Sequence, residues 1–331
     1  MRSAPLTDDL IVCTRRRPAE VRACLETVMT QTRVPLCVVV VDSSDDDATA
    51  RVVDELAAEW PASSSLRHVE SEPALAHQRN VGIDATGNDI VHFVDDDTLL
   101  EPGYCAAIID VLAQDAAREI GGVGGYITNQ PVHRFRKADV LLGLDSHREG
   151  VVLSSGRNVR LHGEPFGNVD VDWLPGCAMS YRREVFETER PDDTLGADRN
   201  GEDVDLSYRV RRHWRLVITP RARIRHLEVS SGRRAIADLV VVELVSRYER
   251  VAAGTGALSL RAFWVSAWGQ LAWYGCKGVV TLSRDRLAIA RMTARGIRRI
   301  RYLRSAGELR DVPASGGNAI RRLRGRPRGA G

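Results

Sequence analysis

The sequence predicts an α/β domain, a mostly parallel sheet with helices on both faces, followed by a helical, arginine-rich C-terminal extension. Three observations carry this. From Asp9 to Asp95, short β-branched apolar runs alternate with longer amphipathic stretches, the pattern of a parallel sheet covered on both sides. Most of those runs end in clusters of polar residues. Beyond residue 231 the strand-like runs stop and arginine becomes prominent.

Taken in order, Asp9 to Cys13 reads as a short buried strand. Pro18 opens a helix through Met29, since a proline in the first turn gives up an N–H that has no helical partner there. Leu36 to Val41 is a second buried strand, ending at Asp42. The run Ser43-Ser44-Asp45-Asp46-Asp47 forms a loop and N-cap, its short side chains accepting free amide hydrogens, and a helix follows to Trp60. Leu66 to Val69 is a third strand and Pro73 to Ala85 a third helix. Asp89 to Val94 is a fourth strand that runs directly into Asp95-Asp96-Asp97. In such sheets, ligands bind beyond the carboxyl ends of the strands.

A helix is expected from Glu101 to Ala117. The glycine-rich Ile120 to Ile127 reads as a closely packed strand and not a phosphate loop, because no Lys-Ser/Thr pair follows. Residues 128–170 are polar and irregular and fit an acceptor-side excursion. Trp173 to Tyr181 reads as strand, Arg182 to Phe186 as helix, Gly201 to Arg212 as helix, and Arg215 to Ile218 and Arg223 to Arg225 as two short strands. The expected domains are a catalytic unit in residues 1–231 and a helical extension in 232–331 with a basic, partly disordered end.

Composition narrows the classes. Fourteen arginines follow from Arg284 onward, against Asp285, Glu308 and Asp311, so the C-terminal part seeks an anionic partner, a phospholipid surface or a nucleic acid. The tail lacks the interleaved aromatics of single-strand binding, and nucleic acid leaves the acidic triad without a purpose. Leu260, Phe263, Trp264, Ala267, Trp268, Leu271 and Tyr274 recur at helical spacing. Beside the basic tail they suggest an interfacial helix, or equally a face packed on the domain or on a second subunit. The longest apolar stretch, Ala262 to Cys276, is shorter than the roughly 20 residues of a transmembrane helix. Six scattered cysteines without a CxxC pair, and a start without an apolar signal core, fit reduced thiols in the cytoplasm.

Three consecutive carboxylates after a buried strand repel one another. A divalent Mn²⁺ or Mg²⁺ removes that cost and bridges substrate phosphates. Asp203, beside Glu202 at the start of a helix, is a candidate general base. The other reading of these helix-opening acids is simple complementarity to the helix dipole.

Residues 9–230 resemble the GT-A-fold, family 2 inverting glycosyltransferases. The segments VVVVDSSDDDAT (38–49), LAHQRNVGIDATGNDIVHFVDDDT (75–98), VDWLPGCAMSYRREVF (171–186) and GEDVDLSYRV (201–210) carry the resemblance, in the family's order. It implies that Thr14, Asp42, Arg79, Asp95 and Asp96 bind the nucleotide sugar. It implies Asp97, Asp95 and His226 as metal ligands, Asp203 as base, and Trp173, Gly176 and Glu202 on the acceptor side. The implied partners are a UDP- or dTDP-sugar and a hydroxyl acceptor of cell-envelope or secondary-metabolite type, lipid-linked in one version, with peripheral contact at the inner face of the cell membrane. The first loop, Cys13-Thr14-Arg15-Arg16, and the stretch Asp193 to Asp198 depart from the family pattern. The alternatives are a sugar-nucleotide nucleotidyltransferase, although Cys13 to Arg17 has no glycine, and a non-enzymatic nucleic-acid-binding protein.

Overall fold

The computed structural model describes residues 5–131, 137–193, 201–229, 236–254, 256–307 and 309. The expected disorder at the basic end, and the departure at 194–198, lie outside the described residues.

Among these, the strands are β1 (Asp8–Thr14), β2 (Cys37–Asp42), β3 (Ser65–Glu70), β4 (Ile90–Asp95), β5 (Thr98–Leu100), β6 (Ile120–Ile127), β7 (Val169–Val171), β8 (Ala178–Arg182) and β9 (Arg215–His226). They form one sheet in the order β3-β2-β1-β4-β8-β6-β9-β5, with β7 also on β9. The first four are parallel, β6 is parallel to β9, and β8 runs antiparallel between β4 and β6. The β-branched runs are why: Val38 to Val41 are fully buried on both faces, which only a covered parallel sheet provides. Helices α1 (Pro18–Met29), α2 (Ala48–Ala57), α3 (Leu75–Asp84), α4 (Tyr104–Gln114), α5 (Lys137–Leu141) and α6 (Glu202–Val210) complete this part. One core lies under α1, α2 and α4, and a second under α3 and α6.

Several boundaries differ from expectation. Trp173 to Tyr181 is not one strand: β7 and β8 are separated by a turn around Pro175 and Gly176, because proline cannot donate to a ladder. Arg183–Glu187 is a 3₁₀ turn. The two short strands expected after Arg215 are one strand of 12 residues. Pro220 does not end it; the register on β6 jumps from Gly125↔Thr219 to Tyr126↔Arg223, so the strand absorbs the proline as a bulge. Helix α4 starts three residues later than expected, after the Glu101-Pro102-Gly103 turn. It stops at Gln114, where the Asp115 carboxylate accepts from the Glu119 and Ile120 amides instead. The short β5 after the acidic triad was not anticipated. The glycines of β6 do serve close packing: a Cβ on Gly121 would meet Trp214 at 2.5 Å and one on Gly122 would meet Tyr181 at 2.7 Å.

The C-terminal part consists of α7 (Ile236–Ala252), α8 (Leu260–Val280) and α9 (Arg284–Ser305). They share a core of Leu244, Tyr248, Phe263, Ala267, Ile297 and Ile300. Phe263 and Ala267 are fully buried, with Trp264 and Leu271 packed beside them, so this stretch of the aromatic stripe is internal. The unit is tied to the sheet domain where Arg250 donates to the carbonyls of Gly156 and Gly201.

Candidate functional site

Parallel pairing sets the site. Thr14 lies opposite Asp42, and Cys13 opposite Asp95, so three neighbouring strands end at one edge with their polar residues abreast. A cleft of about 590 Å³ opens there, lined by the loop from Cys13 to Arg17, by Leu75 and Gln78 of α3, and by Asp95, Asp96 and Asp97.

The three carboxylates are held differently. Asp96 is buried, accepting from Thr14 Oγ1 at 2.7 Å and from Arg17 Nη1 at 2.5 Å. Burial still pushes it up to about 7, outweighing both partners. Asp97 is buried too, yet its carboxyl is held below the ordinary range. His226 Nε2 lies 3.0 Å from one oxygen, and Arg17 Nη2 and the Val229 amide each donate to the other at 3.0 Å. Burial opposes this, but the contacts with His226 and Arg17 prevail. Asp95 is raised by burial against the offsetting charges of Arg79 and His226.

Strand pairing also brings His226 to the triad. β5 leaves Asp97 and pairs with the end of β9, Thr98 against His226, so the imidazole sits 3.0 Å from Asp97 and 3.8 Å from Asp95. Ligand atoms of Asp95, His226 and Cys177 fall within 4.8 Å of one another. The Cys177 thiol is pushed well up by burial, and sulfur is a poor ligand for hard cations. The donor set of Asp95, Asp97 and His226, two carboxylates about one imidazole, fits Mn²⁺ or Mg²⁺ better.

Arg79 joins this cleft to the Glu202-Asp203 segment. It is 3% exposed. Nη1 donates to Glu202 Oε1 at 2.9 Å, Nη2 reaches the Gly176 carbonyl at 3.4 Å, and Asp95 is 3.8 Å away. Asp203 Oδ2 accepts from the Gly176 amide at 3.0 Å. A Cβ on Gly176 would stand 2.8 Å from Arg79 Nη2 and 3.3 Å from Asp203 Cβ, so only glycine fits between them. Burial, with the Glu202 charge adding to it, pushes Asp203 up to about 6. Gly201 takes a left-handed φ of 86°, which glycine adopts without strain, to start α6 here.

Two other expected residues are held by local partners. Asp42 is buried with both oxygens engaged, one by Ser44 and one 3.3 Å from His68. Trp173 is buried against Val152, Val204 and Tyr208, its Nε1 donating to the Val159 carbonyl at 3.0 Å; it supports the site from inside. Two residues were missed. Arg17 clamps Asp96 and Asp97, and its signal was the arginine run after β1, which reads as a solvated loop until β4 is known to be the adjacent strand. Gln78, buried, donates to the Thr14 and Val41 carbonyls at 2.9 Å each and ties β1 to β2 at the cleft floor. No local pattern marks it.

Residues 9–189 match the model of glycosyl transferase family 2. Bacillus subtilis EpsH, named as a glycosyltransferase, is 28% identical over 100 residues, 30% of this chain and 28% of that protein. An uncharacterized glycosyltransferase of Haemophilus influenzae is 34% identical over 106 residues, 32% of this chain and 34% of that protein. The match thus spans about a third of the length of these curated relatives. Among solved structures, a mannosyltransferase from Pyrobaculum calidifontis, in complex with GDP-Man and Mn²⁺, has a TM-score of 0.56 at 18% identity, covering 89% of this chain and 86% of that one. GalNAc-T7, with UDP, GalNAc and Mn²⁺, has a TM-score of 0.55 at 15% identity, covering 83% and 58%. These last two likenesses are of fold, the GT-A α/β architecture. The family match runs from β1 through the acidic triad to the turn after β8, more than half of the chain, and the protein therefore belongs to glycosyl transferase family 2.

Proposed function

We propose that this glycosyltransferase moves a hexosyl group from a nucleoside-diphosphate sugar, a UDP- or dTDP-sugar, to a hydroxyl acceptor with inversion at the anomeric carbon. The observation that carries the reading is the Arg79 bridge, which brings the triad and the Glu202-Asp203 pair to one place although some hundred residues separate them.

Asp95, Asp97 and His226 would hold the divalent metal, which supplies Lewis-acid stabilisation of the diphosphate leaving group. Thr14, Asp96 and Arg17 fix the triad, and Asp42 walls the nucleoside side. Asp203 takes the proton from the attacking hydroxyl. The Gly176 amide holds its carboxylate in place, and its raised pKa makes it a stronger base than a solvated aspartate while leaving it ionised at neutral pH. Glu202 neutralises Arg79, and the Gly176 turn borders the acceptor. Cell-envelope polysaccharide, a lipid-linked acceptor and peripheral attachment at the inner face of the cell membrane belong to the same reading, as does the division into a catalytic unit, 1–231, and an extension, 232–331.

A screen of nucleotide sugars with Mn²⁺ tests it. One donor should stabilise the protein and be hydrolysed slowly, EDTA should abolish both effects, and Asp203→Asn should keep donor binding while transfer collapses. A product that retains the donor's anomeric configuration would overturn the inverting mechanism.

A further inference from the structure

From Val265 to Val279, helix α8 is apolar on the face it shows to solvent. Besides Leu260 and Val280 at its two ends, its exposed positions are Arg261, Val265, Trp268, Ala272, Cys276 and Val279, spaced at four, three, four, four and three residues, one stripe of a 3.6-residue helix. This is not the internal stripe of Phe263 and Ala267. Val265 is 63% exposed and Val279 64%; Val280, the last residue of α8, is 82% exposed, and Leu282 in the turn into α9 is 87% exposed. From Val265 to Val279 the stripe runs about 21 Å. A soluble surface does not ordinarily leave so continuous an apolar band uncovered.

The antiparallel neighbour α9 carries eight arginines against one acid, Asp285, most of them exposed. The two faces meet where the Arg301 guanidinium lies 5.4 Å from the Trp268 ring; within α8, Lys277 lies 4.1 Å from the Trp273 ring. No described helix is long and apolar enough to cross a membrane. An apolar band edged by arginine and tryptophan, on a helix that cannot span, is suited to lie in the headgroup region of an anionic bilayer. A second copy fits less well, because a two-fold contact along α8 would bring the α9 arginines of both copies together.

We propose that the outer face of the α8–α9 hairpin docks this enzyme on an anionic phospholipid surface, with Val265, Trp268, Val279, Val280 and Leu282 inserted and the α9 arginines on the headgroups. This deepens the membrane-attached part of the proposed function and rests on that part only, since it makes no use of the cleft.

The test is flotation of the full chain with vesicles of phosphatidylcholine alone or mixed with phosphatidylglycerol, at low and high salt. Binding should require phosphatidylglycerol and weaken with salt. Val265→Glu with Val279→Glu should lower the bound fraction roughly tenfold or more, with circular dichroism and metal-dependent donor hydrolysis unchanged. Wild-type protein that stays off the mixed vesicles overturns the proposal, as does a double variant that floats like wild type. A wild-type dimer that the double variant converts to monomer, without change in flotation, makes the stripe a subunit interface and overturns it as well. Loss of donor hydrolysis in the wild type would instead count against the catalytic reading.

Discussion

Arg79 Nη1 donates to Glu202 Oε1 at 2.9 Å, deep in the protein and within 3.8 Å of Asp95. One guanidinium thereby offsets a carboxylate from the triad and one from the start of α6. Removing it leaves two partly buried negative charges without their shared cation. Arg79→Met should destabilise the fold by about 3 kcal/mol, in the range for breaking a buried pair, and thermal or urea unfolding would show it. Arg79→Lys should fail to restore activity, because one ammonium cannot meet Glu202 and the Gly176 carbonyl in the same plane. A lysine variant with normal turnover would refute this.

With Asp203 as the proposed base, the pH profile should show an acid limb. The base must be ionised, and its pKa is pushed up to about 6. So kcat/KM should be flat above pH 7 and fall as pH drops through about 6. Glu202→Gln removes the neighbouring negative charge that favours the protonated form, so the limb should move to lower pH. Arg79→Met removes a positive charge and should move it upward. Identical limbs in all three proteins would assign the ionisation to another group.

Gly176→Ala is a test of space. The added methyl would stand 2.8 Å from Arg79 Nη2, and Arg79 cannot retreat while it holds Glu202. The expected cost is about 1–3 kcal/mol of overpacking, with turnover falling because Asp203 is displaced. Unaltered melting and turnover would mean that the turn relaxes freely.

Asp97→Ala should abolish the Mn²⁺-dependent part of nucleoside-diphosphate affinity in calorimetry with and without EDTA. His226→Ala should weaken it and leave some, since Asp95 and Asp97 remain. Equal affinity in wild type and both variants would place the metal elsewhere.

Some of this was legible in the sequence because it depends on local chemistry. Val38 to Val41 can only be a buried strand, and Asp95-Asp96-Asp97 directly after a second such strand had to lie at a sheet edge with its charges in need of a cation. The alternation also pointed to a mostly parallel, covered sheet, but strand order, register and the antiparallel β8 were not in it. Tertiary structure decided the rest. Arg17 acquires its partners only because β1 and β4 are adjacent. His226 meets Asp97 only because β9 bulges at Pro220 and then pairs with the three-residue β5, too short to leave a period in the sequence. Gly176 is required by a side chain 97 positions away. In α8, apolar residues surround the whole helix, so periodicity could not say which stripe was covered; packing against α7 and α9 buried Phe263 and Ala267 and left Val265, Trp268 and Val279 outside.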